Sequence, residues 1–345
     1  MRILIIAPPW VAVPPPAYGG TETVLDTLAR GIERAGHDVL LFTTGDSTCE
    51  VPRASIWPEA IGVGVGGAAS EIRHVIHAYR SAAEVDLVHD HTLVGPVYAD
   101  RFAGLPVVTT NHGPFESELG DYYRAIGDRT PVIAISNHQA STALGVPIAA
   151  VIHHGVDYDR FPVGPGDGGY AMFLGRMCPE KGVTSAIHAA RAAGVPLRIA
   201  AKMTEAAEQL YFERQVQPLL GSDVEYVGQV GGAEKLAMLG GAICLLNPIA
   251  WPEPFGMVMV ESLACGTPVV VTPRGAAPEI VDDGVTGFVC DGAEALAKAV
   301  LASADLDRAQ CRDAVESRFS ATRMVAEHLN LYRAIIGGST LPKAA

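Results

Sequence analysis

The sequence lacks a long hydrophobic run, closely spaced cysteines and an excess of positive charge. None of its apolar stretches approaches the roughly 20 residues of a membrane-spanning helix. The apolar stretch after Arg2 resembles the start of a signal peptide, but Pro8 and Pro9 interrupt it too early. The six cysteines are far apart and form no C-x-x-C pair, which indicates reduced thiols. We therefore expect a cytoplasmic protein without a transmembrane segment.

The charge balance is acidic, with 25 Lys and Arg against 38 Asp and Glu and a net charge of −13. Nucleic-acid binding requires clustered Lys and Arg to neutralise phosphates, so we predict no nucleic-acid partner. Hydrophobic residues make up 49% of the 345 residues, which is enough for a sizeable core. The length fits two domains better than one.

Short apolar runs alternate with longer helical patterns, which is typical of parallel α/β domains. The runs predicted as strands in the first half are Ile3–Ala7, Val39–Thr43, Asp86–His89, Val107–Asn111 and Val132–Ser136. Those in the second half are Ala171–Leu174, Leu197–Ala201, Val224–Tyr226, Ile243–Leu246, Val269–Val271 and Phe288–Cys290. Helices are predicted over Thr23–Ala35 and Ala321–Ile336 from their apolar periodicity.

A Gly- and Pro-rich stretch divides these two halves. The segment Val151–Asp157 is predicted to be a strand that runs into a linker. We therefore predict a first domain over residues 1–155, a linker over 156–169 and a second domain over 170–320. A terminal helix is predicted over 321–337, and the last residues, 337–345, are expected to be frayed.

Two glutamates, Glu253 and Glu261, lie eight positions apart at the entry to an apolar helix. Pro254 disfavours helical geometry at Glu253, while Gly256 precedes the apolar residues that begin the helix. Each glutamate alone would usually be a helix-dipole partner or a solvated side chain. The sequence around Glu261 is apolar, however, and a buried carboxylate needs a partner. We predict that a diol of a bound ligand supplies it.

A glycosidase also uses two carboxylates, and the spacing of this pair bears on that alternative. Eight residues of continuous helix would separate the two carboxylates by about 12 Å along the axis. Hydrolases place theirs roughly 5 to 9.5 Å apart. The spacing therefore argues against glycoside hydrolysis, but it does not exclude it, because an irregular first turn would shorten the separation.

Gly175, Arg176 and Lys181 lie at the predicted end of the second domain's first strand and in the loop after it. Ligands bind at such carboxyl ends of parallel strands. Arg176 offers a planar fork of donors and Lys181 a mobile point charge, and both suit a diphosphate. The competing interpretation is a surface ion pair with Glu180.

Together, these segments resemble the family-4 retaining glycosyltransferases of the GT-B fold, the superfamily of glycogen synthases and mannosyltransferases. The resemblance rests on Glu253 and Glu261, on Ser262 to Val270, on Gly284 to Phe288, and on the Gly-Arg and Glu-Lys-Gly pairs of the cationic loop. It covers most of the chain. It implies an α/β architecture of two Rossmann-like domains facing a central cleft, with the terminal helix crossing back to the first domain.

The resemblance also implies an activity: a hexosyltransferase that moves a sugar from a nucleotide diphosphate sugar to a hydroxyl of a small-molecule or saccharide acceptor. Retention of configuration and independence from metal are implied as well. UDP-sugars such as UDP-glucose are favoured as donors, and GDP-mannose comes next. Because the nucleotide sugar is a substrate, no cofactor is expected.

The same resemblance implies roles for individual residues. Arg176 and Lys181 would stabilise the departing diphosphate. Glu253 would hold hydroxyls of the donor sugar, and Glu261 would hold the ribose diol, because an ionised carboxylate accepts two hydrogen bonds. Further donor contacts would come from Gly175 and from the backbone N–H groups of Phe255, Gly256, Met257 and Val258.

Gly19, Gly20 and His112 are the candidate residues of the first domain. A pair of glycines is often only a turn, but Gly19 and Gly20 match the family's glycine loop, which faces the donor diphosphate and the acceptor. His112 follows a predicted strand and matches the family's His-Gly pair. This implies that His112 lies near the transferred sugar, where it would orient the sugar or stabilise developing charge.

Two further patterns suggest other ligands. Residues Gly62 to Gly67 satisfy G-x-G-x-x-G, but they follow no clear strand, and we predict a loop before a helix at 69–82. His89 and His91 share one side of a strand end, but no third metal ligand is evident. The D-x-D pair of Asp157 and Asp159 lies at the predicted linker. We therefore predict no metal.

Three functions from other classes compete with the transferase. A glycan phosphorylase shares the fold but needs a pyridoxal lysine, and no segment of this chain matches one. A nicotinamide dehydrogenase depends on the weak glycine match alone. A non-catalytic nucleotide-sugar sensor would keep the donor site without catalysing transfer, and it is the hardest of the three to exclude.

Overall fold

The computed structural model describes residues 1–62 and 67–338, with the side chain of Ser117 excepted. Residues 63–66 of the glycine-rich stretch predicted as a loop lie outside this range, and so do residues 339–345 of the predicted frayed tail.

The chain forms two compact units. The first contains Met1–Pro15, Gly19–Gly155 and the chain from Ala321 onward, and the second contains Pro16–Tyr18 and Val156–Ser320. A tripeptide from the N-terminal stretch therefore belongs to the second unit, and the terminal helix belongs to the first.

A parallel sheet forms the centre of the first unit. Its strands are β1 (Arg2–Ile6), β2 (Asp38–Thr43), β3 (Arg53–Ser55), β4 (Leu87–Asp90), β5 (Val107–Thr110), β6 (Val132–Ala134) and β7 (Ile148–Val151). They pair in the order β3-β2-β1-β4-β5-β6-β7, and every pair is parallel. Because β1 lies between β2 and β4, the strand order reverses there, which is where parallel α/β sheets bind ligands.

Helices complete the first unit. They are α1 (Gly20–Arg34), α2 (Ala68–Arg80), α3 (Gly95–Tyr98), α4 (Ser117–Ile126), α5 (Asn137–Thr142) and the terminal α13 (Ala321–Ile336). The residues of β1 from Ile3 to Ile6 are at most 1% exposed, as expected for a strand covered on both faces. Helix α13 packs on α1 so closely that a Cβ on Gly31 would lie 2.4 Å from the Val325 side chain.

The second unit repeats the architecture with a parallel sheet of its own. Its strands are β8 (Ala171–Arg176), β9 (Leu197–Lys202), β10 (Val224–Gly228), β11 (Leu245–Asn247), β12 (Val269–Val271) and β13 (Gly287–Val289), in the order β10-β9-β8-β11-β12-β13. Its helices are α6 (Val183–Ala193), α7 (Ala206–Tyr211), α8 (Gly232–Gly241), α9 (Met257–Ala264), α10 (Ala277–Ile280), α11 (Ala293–Ala302) and α12 (Arg308–Arg318). Two Rossmann-like parallel-sheet units confirm the predicted α/β fold.

The structure corrects the sequence-based prediction around the domain boundary. The strand predicted at 151–157 is wrong, because β7 ends at Val151. The Gly- and Pro-rich stretch at 156–169 packs on the second unit: the backbone N–H groups of Gly164, Gly166 and Gly168 donate to carbonyls of residues 265, 240 and 241. Strand β3 was not predicted, since three residues at a sheet edge give no clear apolar pattern.

Within residues 1–62 and 67–338, no helix is both long enough and apolar enough to cross a membrane.

Candidate active site

Lys181, Glu253 and Trp251 form a compact group in the second unit. The Lys181 ammonium donates to Oε2 of Glu253, and their side chains are 11% and 13% exposed. The indole Nε1 of Trp251 donates to the same oxygen at 2.8 Å. The ammonium also lies 5.1 Å from the centre of the indole ring, within the range of a cation–π contact. The competing interpretation of Lys181 as half of a surface pair with Glu180 is therefore wrong.

Backbone packing fixes Glu253 in the loop between β11 and α9. Its N–H donates to the carbonyl of Trp251, and its carbonyl accepts from the N–H of Ala276. Gly275 approaches so closely that a Cβ there would lie 2.2 Å from the Glu253 carbonyl oxygen. Gly275 also has a φ of +59°, a conformation that other residues rarely adopt. This loop accepts only a glycine at position 275.

Helix α9 presents the candidate donor-binding backbone groups. Gly256, which precedes its first residue, has a φ of +101°, and the helix begins at Met257. Phe255 and Met257 are buried, while Gly256 and Val258 are partly exposed. The first N–H groups of a helix have no carbonyl partner within it, so those of Met257 and Val258 suit an acceptor oxygen of a ligand.

Glu261 points from α9 into a buried environment and is paired with a lysine. Its Oε1 lies 2.8 Å from Nζ of Lys235 on α8, and the two side chains are 7% and 17% exposed. The sequence correctly predicts burial of Glu261. It gives no indication that α8 brings Lys235 to this position, and the contact of Glu261 with a ligand diol stays a prediction.

Arg176 and Gly175 occupy the last two positions of β8. The Arg176 side chain is 41% exposed and lies 3.8 Å from Oε1 of Glu208, which is buried. The other oxygen of Glu208 accepts backbone N–H groups of Thr204 and Glu205, which holds the carboxylate in place. Gly175 is buried beside the stem of Lys181. Arg176 therefore keeps most of its donors accessible to an anion.

Tyr18, the last residue of the tripeptide Pro16–Tyr18, interacts electrostatically with these groups. It is partly exposed, and burial raises the pKa of its phenol. The charges of Glu253 and Glu261 raise that pKa further, while Arg176 lowers it. The charges of three candidate site residues therefore act on the pKa of this phenol. Its neighbour Ala17 packs against Gly231, where a Cβ would lie 3.0 Å from the Ala17 backbone.

The remaining candidate residues, Gly19, Gly20 and His112, belong to the first unit. Gly20 is the first residue of α1, and Gly19 precedes it. A Cβ on Gly19 would lie 2.7 Å from a carboxylate oxygen of Glu22. His112 follows the end of β5 and lies within a histidine cluster, which consists of His89, His91, His112, His154 and His328.

Hydrogen bonds and ring contacts hold this histidine cluster together. Nε2 of His112 lies 2.9 Å from Nδ1 of His91, so one of the two rings donates to the other. The His112 ring stacks on that of His154 at 5.3 Å. His89 lies 2.6 Å from the Tyr332 hydroxyl of α13 and 2.8 Å from the Thr110 hydroxyl. The terminal helix thus contacts His89 of this cluster through Tyr332.

Burial keeps these rings neutral near pH 7. It lowers the pKa of His112 and of His328 to about 4, and His328 acts in the same direction on His112. Burial, with neighbouring charged groups, also lowers the pKa values of His89, His91 and His154 well below the usual 6.5. Across the described part of the chain, no three His, Cys, Asp or Glu side chains are arranged to hold a metal ion.

Comparison with known families identifies both halves of the chain. The model described as "Glycosyltransferase Family 4" matches residues 18–160. The model described as "Glycosyl transferases group 1" matches residues 158–316 and includes the Lys181–Glu253 pair, Lys235 and Glu261. The chain belongs to the family-4 glycosyltransferases of the GT-B fold.

Relatives and solved structures agree with this family assignment. The phosphatidyl-myo-inositol mannosyltransferase of Mycolicibacterium smegmatis is 27% identical, over 87% of this chain and 84% of its own length. AviGT4, a glycosyltransferase involved in avilamycin A biosynthesis, is 26% identical with a TM-score of 0.73 over 99% of both chains. Anabaena Alr3699/HepE, solved with UDP and glucose, shares the fold with a TM-score of 0.74 at 21% identity, over 96% of this chain and 98% of its own.

Four residues near the candidate site of this glycosyltransferase were not identified from the sequence: Trp251, Lys235, Glu208 and Tyr18. Trp251 had the clearest signal, because it lies two residues before Glu253 in the same loop. The other three reach the site from separate elements. Only the tertiary packing of the second unit brings them together.

Proposed function

We propose that this glycosyltransferase moves a hexose from a nucleotide diphosphate sugar to a hydroxyl of a small-molecule or saccharide acceptor, with retention of configuration and without a metal. Transfer from a nucleotide sugar follows from the family, and the mannosyltransferase relative supports a hexose as the transferred group. The observation that carries the finer proposal is the buried pairing of two lysines with two glutamates around α9.

The charged groups of the site set the orientation in which the donor binds. Arg176 and Lys181 hold the diphosphate, assisted by the first N–H groups of α9. Glu253 accepts hydrogen bonds from sugar hydroxyls, and Glu261 accepts them from the ribose diol. Before the donor binds, Lys181 is paired with Glu253 and Lys235 with Glu261, so binding of the diphosphate requires Lys181 to turn from Glu253.

The chemistry needs no protein nucleophile. The acceptor oxygen forms a bond to the anomeric carbon on the face that the diphosphate leaves, while the bond from that carbon to the phosphate oxygen breaks. The acceptor proton passes to the departing phosphate oxygen. Arg176 and Lys181 stabilise the negative charge that develops there. His112, neutral at pH 7, orients the sugar as a hydrogen-bonding group.

UDP-glucose is our first choice of donor and GDP-mannose the second. HepE was solved with UDP and glucose, which supports a UDP-sugar, and the M. smegmatis relative is a mannosyltransferase. We further propose that the enzyme acts in the cytoplasm without a nucleic-acid partner, given its net charge of −13.

A thermal-shift screen against UDP-, GDP-, ADP- and TDP-sugars, with and without a chelator, tests this proposal. A ligand at one hundred times its dissociation constant adds about 2.7 kcal/mol to the free energy of unfolding. We expect one nucleotide sugar to raise the melting temperature to the same extent in the presence of chelator. No shift with any of the donors would contradict the proposal.

Activity measurements on variants test the residues. Lys181→Ala and Glu253→Ala should each abolish most transfer while the fold stays intact. Lys298→Ala is the matched control, because Lys298 forms a solvent-exposed ion pair with Glu294 within α11. Normal transfer by either site variant would overturn the assignment, whereas the control should keep full activity.

A further inference from the structure

The Trp251 indole contacts both charged partners of the Lys181–Glu253 pair. Its N–H donates to Oε2 of Glu253, and its ring face lies beside the Lys181 ammonium. Neither the glutamate spacing nor the cationic loop assigns a role to this side chain. Two different contacts from one ring to two charged groups suggest that the ring controls how those groups are arranged.

The contacts leave one oxygen of Glu253 available. Lys181 and Trp251 both donate to Oε2. Among the described residues, Oε1 accepts no hydrogen bond. An ionised carboxylate accepts about four hydrogen bonds in total, so Oε1 can receive hydroxyls of a sugar without any loss of the existing contacts. The orientation of the carboxylate then decides whether Oε1 faces the sugar.

In the proposed function Lys181 binds the donor diphosphate, but in this structure its ammonium is paired with Glu253. When the ammonium turns to the diphosphate, Glu253 loses its charged donor at about the moment the sugar arrives. A buried carboxylate without a donor is unfavourable by several kcal/mol, so another group has to hold Oε2.

We propose that Trp251 is a positioning residue that holds Glu253 through its indole N–H when Lys181 turns to the donor diphosphate. The ring face meanwhile keeps the ammonium close by, because a cation over an aromatic face is attracted without being fixed in one direction. This inference rests on the proposed function and deepens it. When the donor binds, Lys181 moves from Glu253 to the diphosphate, while Trp251 keeps the carboxylate of Glu253 in the same orientation.

The substitution Trp251→Phe separates the two contacts. It retains an aromatic face for Lys181 and removes the N–H that holds Oε2. Because Glu253 receives the sugar and Lys181 the diphosphate, we expect the affinity for UDP-glucose to fall about tenfold more than the affinity for UDP. Isothermal titration calorimetry of both ligands gives this ratio directly. Trp251→Tyr removes the same N–H and serves as a second variant if Trp251→Phe does not fold.

Trp57→Phe is a matched control within the same chain. The Trp57 ring also lies under a cation, with the Arg73 guanidinium 4.6 Å from its centre. Its buried Nε1 has no hydrogen-bond partner among the described residues, so its removal breaks no hydrogen bond. The affinities of this variant for UDP and UDP-glucose should match those of the native protein.

A double-mutant cycle distinguishes positioning from direct contact. If Trp251 acts through Glu253, then Trp251→Phe should add little to the loss that Glu253→Gln already causes. Fully additive losses, or equal losses for UDP and UDP-glucose, would overturn the inference. If the native protein binds neither ligand nor any other donor of the thermal screen, the proposed function itself is wrong, and the two failures are thus distinguishable.

Discussion

We predict that mild acid destabilises the first unit through its buried histidines. Burial lowers the pKa of His112 and His328 in the histidine cluster, and that of His74 on α2, to about 4, against about 6.5 in an unfolded chain. At pH 5 the unfolded chain therefore binds protons that the folded unit excludes. Stability is complete above pH 6.5 and is lost as the pH falls towards 4. Each of the three histidines lowers the free energy of unfolding by about 2 kcal/mol between pH 7 and pH 5.

Other titratable groups modify this figure. Burial raises the pKa of Asp90 to about 6, so folding favours its protonation and offsets about 1 kcal/mol at pH 5. Arg323 acts in the opposite direction, because its positive charge lowers the pKa of both His154 and His328. The four groups with defined values give a net loss of roughly 4 to 5 kcal/mol, a large part of the 5–15 kcal/mol that stabilises a typical domain.

Urea denaturation between pH 7.5 and pH 5 measures this loss, and hydrogen exchange locates it in the first unit. His328→Gln should reduce the slope of stability against pH, because one excluded proton is removed. His188→Gln is the control, since His188 is exposed on α6 of the second unit. A free energy of unfolding that stays constant down to pH 5, or a His328→Gln slope equal to the native one, would refute the reasoning.

Two further predictions concern the second unit. Lys235→Met leaves the Glu261 carboxylate buried without its cation and should lower the free energy of unfolding by about 3 kcal/mol, measured by urea denaturation. Adding Glu261→Gln should restore part of that loss; no recovery would contradict the pairing. Gly275→Ala should lower both the melting temperature and the donor affinity, because its Cβ would displace the backbone of Glu253. Gly284 also has a positive φ, +73°, but open space around it, so Gly284→Ala should leave donor affinity unchanged; equal effects of the two substitutions would contradict the steric argument.

The sequence predicted the architecture because apolar periodicity is a local property. The strands near Ile3, Val107, Ala171 and Val269 and the helix after Gly19 are all present, with ends shifted by a few residues. The strand predicted over Val151–Asp157 is wrong, because β7 ends at Val151. Residues 156–169 contain the glycines and prolines typical of a linker, and backbone hydrogen bonds join them to the second unit.

The burial of Glu261 in the candidate site was also predictable from the sequence, but the residue that pairs with its carboxylate was not. The apolar neighbours of Glu261 indicated that its carboxylate is buried. No local rule connects it to Lys235, which lies 26 residues earlier on another helix. For the same reason the histidines at 89 and 91 looked like an isolated pair. The cluster forms only because β4, β5 and α13 meet, and α13 is more than two hundred residues away in sequence.

The position of α13 determines the order in which the two units can fold during synthesis. The first unit contains residues from the start of the chain and the helix Ala321–Ile336, which leaves the ribosome after the entire second unit. Tyr332 and Val325 cannot contact His89 and Gly31 until then. The second unit can complete its fold first, because the tripeptide Pro16–Tyr18 that it requires is already synthesised. A nascent chain from which residues 1–320 have emerged, while α13 is still inside the ribosome, should thus hold a finished second unit and a first unit that still exposes its histidines.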